Sequence, residues 1–115
     1  MQYLLMIYSD EKAYAQRPPD VIKRTTEAYL AYADAIKKAG ADAGSARLQP
    51  THTATTVRVA DGKTQVLNGP YADTKEQLGG YFLIDVPDLD AALSWAARCP
   101  GAQGGVIEVR PIWAM

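Results

Sequence analysis

The chain has one cysteine and one histidine among its 115 residues. Cys99 alone cannot form an internal disulfide. His52 alone excludes a multi-histidine metal centre, because one imidazole among scattered carboxylates is a poor ligand set. Neither charge is in clear excess: 12 Lys and Arg stand against 13 Asp and Glu, a formal net charge of -1. Nucleic-acid binding needs a concentrated basic face to neutralise phosphates, so it is not expected. No apolar run approaches the ~20 residues of a membrane span. The opening "MQYLLMIYSDEK" lacks the basic start and small-residue cleavage site of a signal peptide, so the expectation is a cytoplasmic protein. P-loop and dinucleotide fingerprints are missing, since Gly101, Gly104 and Gly105 do not lead from a strand into a helix. No cofactor and no metal are therefore expected. Internal repeats, low-complexity segments and interdomain linkers are absent too, and the length suits one domain spanning residues 1–115.

The residues that are present lay out an α+β order. Gln2–Tyr8 is short, apolar and aromatic, and reads as a buried strand. Pro18-Pro19-Asp20 opens a helix, since proline loses nothing at a first turn and Asp20 complements the dipole. Ile22, Thr26, Tyr29, Ala33 and Ile36 make its stripe, and Gly40 stops it. Ala41–Pro50 reads as a loop. Thr53–Ala60 and Lys63–Leu67 form a hairpin, because Asp61-Gly62 supplies the two positive φ angles of a tight turn. Gly80–Val86 is a further strand. Asp88 caps a second helix with Leu89, Ala92, Leu93 and Ala96 as its stripe, and Gly105–Ile112 is the last strand. Without the extra hairpin strand, β-α-β-β-β-α-β reduces to the ferredoxin-like β-α-β-β-α-β, with both helices on one face of an antiparallel sheet.

Alternation along the strands then sorts the side chains. Phe82, Ile84 and Val86, with Ile107 and Val109, belong under the helices, and so do Thr55, Val57 and Val59. The other face carries Tyr81, Leu83, Val106 and Ile112 beside Arg58, Glu108, Arg110 and His52. It is too apolar for plain solvent and too polar for a core. One reading is a half-solvated face. The other is a homodimer interface enclosing a pocket, where Arg110 or Arg58 would hold a ligand carboxylate in two-point fashion; Glu108 or Asp85 could equally partner Arg110. Trp95 and Trp113 are expected as core and interface anchors.

"NGPYADTKEQLGG" leads into the third major strand. Gly69-Pro70 makes a rigid change of direction, and Asp73 with Glu76 fits a capping box on a single helical turn. Together with the flanking "LQPTHTATTVRVADGK" and "VIEVRPI", this stretch resembles the YCII-related family in its DGPF-domain branch. The resemblance covers nearly the whole chain. Asn68 stands where that motif has Asp, which removes a carboxylate, and Tyr71 stands where it has Phe, which keeps the ring. The resemblance implies a dimeric α/β barrel of ferredoxin-like halves with a cleft near the interface. It implies no assured reaction. Genes of the branch often neighbour those of extracytoplasmic-function sigma factors, which implies a regulatory or stress-linked role. The wider family's His–Asp pair is not carried over, since its His lies near the first helix and this chain has none there.

Candidate ligand-binding residues are thus Arg58, Tyr71, Tyr81, Glu108 and Arg110. The candidates for acid–base work are His52 and Asp73. Cys99 reads as a buried structural thiol, with no base in suitable context. Three functions compete: a homodimeric binding or regulatory module holding a small ligand or a partner, a cofactor-independent isomerase- or lyase-like enzyme using cleft residues, and a purely dimerising interaction protein. The missing Asp at position 68 and the unpaired His favour the first.

Overall fold

A computed structural model describes residues 1–114. The strands are β1 Gln2–Ser9, β2 Asp42–Arg47, β3 Thr55–Ala60, β4 Lys63–Asn68, β5 Gln77–Asp85 and β6 Val106–Pro111. The helices are α1 Glu11–Ala15, α2 Pro19–Lys38 and α3 Leu89–Arg98. A four-stranded antiparallel sheet runs β2-β5-β1-β6, and β3-β4 forms a separate two-stranded sheet. This is the ferredoxin-like arrangement, with the hairpin inserted between its second and third strands.

Each helix starts where its sequence supplies a start. Asp10 accepts the Lys12 and Ala13 amides at 3.1 and 3.2 Å ahead of α1. Pro18 and Pro19 open α2, and Asp88 accepts the Ala91 amide at 2.9 Å ahead of α3. Tyr3, Leu5 and Ile7 of β1, with Phe82 and Ile84 of β5, face Tyr32, Ile36, Ala92 and Ala96 of the helices. Leu5 and Ile84 are wholly enclosed, each worth roughly 1.5–3 kcal/mol of apolar burial. The Tyr32 ring meets Phe82 edge-on at 5.1 Å, and its hydroxyl donates to the Trp95 carbonyl at 2.6 Å. The buried ring thus keeps its polar tip satisfied.

Several expectations are corrected. The segment expected as a loop holds β2, which pairs with β5 through a bulge between Asp42 and Gly44. The hairpin consequently does not join the main sheet, and Val57 and Val59 are 61% and 66% exposed rather than covered by a helix. Residues 72–76 form no helical turn. Asp73 caps nothing there, and the Thr74 hydroxyl instead donates to the Glu76 carbonyl at 2.5 Å. The strand after them begins at Gln77, so Gly80 lies within it. A Cβ at Gly80 would come 2.7 Å from the Ala46 carbonyl oxygen, so the close approach of β2 requires glycine. Thr26, Leu89 and Leu93 fall outside the buried stripes, and Trp113 is exposed while Trp95 packs on the core.

Candidate functional site

The face of the main sheet away from the helices is built from Tyr81, Leu83 and Asp85 of β5, with Leu78 beyond a bulge opposite Tyr8, and the even-numbered residues of β1 and β6. Pairing aligns them in rows. Met6 stands opposite Tyr81 on one side and Glu108 on the other, and Leu4 opposite Leu83 and Arg110. Ala46 extends the first row and Gly44 the second. Leu4, Met6, Tyr8, Tyr81 and Leu83 are half-buried within a single chain. At one edge Arg110 donates to Glu108 at 2.8 Å, with both side chains in contact with solvent. Arg110 thus has an internal carboxylate, and a ligand acid would have to displace it. Exposed pairs of this kind contribute little to stability, ~0–1 kcal/mol, so displacement costs little.

The other candidates lie elsewhere. Arg58 of β3 sits over the Tyr71 ring, 5.8 Å from its centroid. That pair belongs to the hairpin and the chain leaving it, so the two residues meet each other and not the Tyr81 row by any pairing of strands. His52 lies in a 3-10 turn, Thr51–Thr53, and is exposed. Asp73 is exposed in the loop. Among the described residues no hydrogen bond or ion pair joins His52 or Asp73 to another side chain, so the fold assembles no acid–base pair from them.

Glu11 was missed in the sequence because its role depends on contacts remote in the chain. Its carboxylate accepts the Thr51 amide at 3.1 Å and also the Thr51 hydroxyl. Its amide donates to the Gln77 side chain at 3.0 Å. The start of α1 thereby anchors the turn carrying His52 and the entrance of β5, one on each side of the hairpin's base.

On the helix side a second concavity of about 690 Å³ opens between α1, α2 and the Gly-rich segment after α3. Arg17, Arg24 and Arg98 line it together with Tyr14 and Tyr29. Tyr29 is half-buried. Burial, with Cys99 beside it, pushes its hydroxyl well above the usual phenol value. Burial also raises the Cys99 thiol, against the lowering effect of the Gly101 backbone N–H and the Tyr29 hydroxyl. Cys99 is therefore a protonated, enclosed thiol, as its sequence context suggests. No group of three His, Cys, Asp or Glu side chains among the described residues could hold a metal ion, and no helix there is long and apolar enough to cross a membrane.

Comparison with known proteins places these features. A family model described as the YCII-related domain matches residues 1–115. An uncharacterized protein of Rhizobium meliloti (strain 1021) is 38% identical over 114 residues, covering 97% of this chain and 92% of the relative. Among solved structures, the 5-chloro-2-hydroxyhydroquinone dehydrochlorinase TftG of Burkholderia phenoliruptrix AC1100, in complex with 2,5-dihydroxybenzoquinone, superposes with a TM-score of 0.53. It is 16% identical, and the match covers 98% of this chain and 94% of that one. A likeness at that identity carries the ferredoxin-like fold and no more.

Proposed function

The chain belongs to the YCII-related domain family, and on that premise we propose that it is a single-domain homodimer which holds a small organic ligand in a cleft where two sheet faces meet. Its NGPY motif fits the DGPF-domain branch, and with it a regulatory role linked to sigma-factor pathways. The supporting observation is the open face itself. Leu4, Met6, Tyr8, Tyr81 and Leu83 form a continuous apolar patch with one ion pair at its edge. Apolar surface of this kind, rimmed by polar groups, marks an interaction site, and a second copy covers it by bringing an identical patch across a two-fold axis. The TftG structure adds that a fold of this shape accommodates a small quinone. Binding has more support than the alternative, a cofactor-independent enzyme, because His52 and Asp73 stand apart in solvent.

Sedimentation equilibrium tests the dimer. The wild type is expected at twice the mass of one chain at micromolar concentration, and Leu83→Lys, which places a charge at the patch centre, at the mass of one. A wild-type monomer, or a dimer indifferent to Leu83→Lys, would remove the interface.

A further inference from the structure

We propose that the helix-side concavity is an anion site, separate from the sheet face, that takes a small organic carboxylate with a flat apolar body. Arg17 from the turn before α2, Arg24 from α2 and Arg98 from the end of α3 line it, and no Asp or Glu does. That is out of keeping with a chain whose acids outnumber its bases, 13 to 12. Like charges gathered with a single exposed counter-charge, Asp20 beside Arg24, repel, and an anion bound among them relieves the repulsion.

Two of the three arginines, Arg17 and Arg98, are held without an acid partner among the described residues. Arg17 lies over the Tyr14 ring at 5.4 Å and Arg98 over the Trp95 ring at 4.3 Å. Stacking on a ring orients a guanidinium and leaves its edge N–H groups free to bind a carboxylate in two-point fashion. Arg24 pairs with Asp20 at 3.5 Å, with both side chains more than 70% exposed.

The remaining wall suits an apolar body. Ile7, Val21, Ala28 and Tyr29 line it, and the Gly-rich segment packs tightly against that wall. A Cβ at Gly101 would strike the Tyr29 hydroxyl and come 2.8 Å from an Ile7 methyl. Gly104, at φ +88°, brings its backbone against the Arg17 guanidinium, where a Cβ would sit 3.6 Å from Nη2. Polar and apolar groups share the lining, so an anion with an apolar body finds partners for both its parts.

A ¹H–¹⁵N NMR titration with benzoate tests the site, with benzamide as the neutral counterpart and inorganic phosphate as the anion without an apolar body. Saturable shifts of the Gly101, Gly104 and Gly105 amides with benzoate alone are expected. They should need at least about tenfold more benzoate in Arg17→Gln/Arg98→Gln, the effect of removing charged hydrogen bonds. Both arginines are exposed, so this variant should fold, and its spectral dispersion shows whether it does; Arg17→Lys/Arg98→Lys should bind between the two. Binding weaker than about 10 mM, equal shifts with benzamide, or shifts unchanged in the Gln variant would overturn the site. Phosphate binding in place of benzoate would overturn the ligand class. Shifts confined to Tyr81, Leu83 and Glu108 would assign the ligand to the sheet face instead. The reporting amides lie on the helix side, so a monomer in the sedimentation experiment leaves this proposal standing.

Discussion

Cys99, Tyr29 and Tyr32 meet beneath the helices, and all three hold their protons more tightly than they would in water. Burial is the leading cause for each, and for both tyrosines the neighbouring Cys99 adds to it. An acid with a raised folded value stabilises the fold fully below its ordinary value, and that contribution is lost as pH climbs from there through the raised one. Stability should therefore hold through neutral pH and fall above the ordinary cysteine value of 9.0 and tyrosine value of 10.0. Urea unfolding between pH 7 and 10.5 checks this, and Cys99→Ala should flatten the first part of the decline. A stability that rises over that range would contradict the burial. The enclosed thiol was legible in the sequence because Cys99 ends an apolar helical stripe. The exposure of His52 was legible only as one of two readings. Asp73 was misread, because a capping box needs a helix and this loop forms none.

Among the elements, β2 and the hairpin show two different limits of local signals. "DAGSAR" has no β-branched or aromatic residue, so nothing in it announces a strand. It becomes one because β5 offers an unpaired edge and Gly80 lets it come close. "TTVRVADGKTQVL" announces a hairpin correctly, and Asp61 and Gly62 take φ of 51° and 73°. Pairing within a hairpin says nothing about which sheet it joins, and here it joins none. Val57, Val59 and Val66 are each about 60% exposed on it. An isolated hairpin is marginal in water, so contact with a second copy would hold it in place. The Gly69 amide donates to the Ala54 carbonyl at 2.7 Å, so the arm's two ends are adjacent. Replacing residues 55–68 by a short glycine link should leave cooperative unfolding and far-UV dichroism of the sheet and helices, and weaken self-association in sedimentation. Loss of cooperative unfolding would show that the arm belongs to the core.

For the whole molecule, the radius of gyration of 16.1 Å exceeds the ~13 Å of a compact chain this long. The excess reflects a sheet covered on one side and an arm standing clear of it. With a net charge of -1, self-repulsion between copies is weak and does not oppose association. If the dimer forms as proposed, thermal unfolding becomes concentration-dependent: Tm should rise as protein concentration is raised tenfold, by up to ~1.4 kcal/mol of added stabilisation. In Leu83→Lys it should not move. An unchanged wild-type Tm would count against association at those concentrations. The amino-acid order alone determined the two longer helices and their starts, the tight turn and which side chains of β5 and β6 point toward the core, because each follows from period and from neighbours a few residues away. The partner of β5, the independence of the arm, the tie of Glu11 to Thr51 and Gln77, and the gathering of Arg17, Arg24 and Arg98 were decided only in three dimensions. Those contacts join segments tens of residues apart, where no local preference acts and only the competition for sheet edges, space and charge chooses.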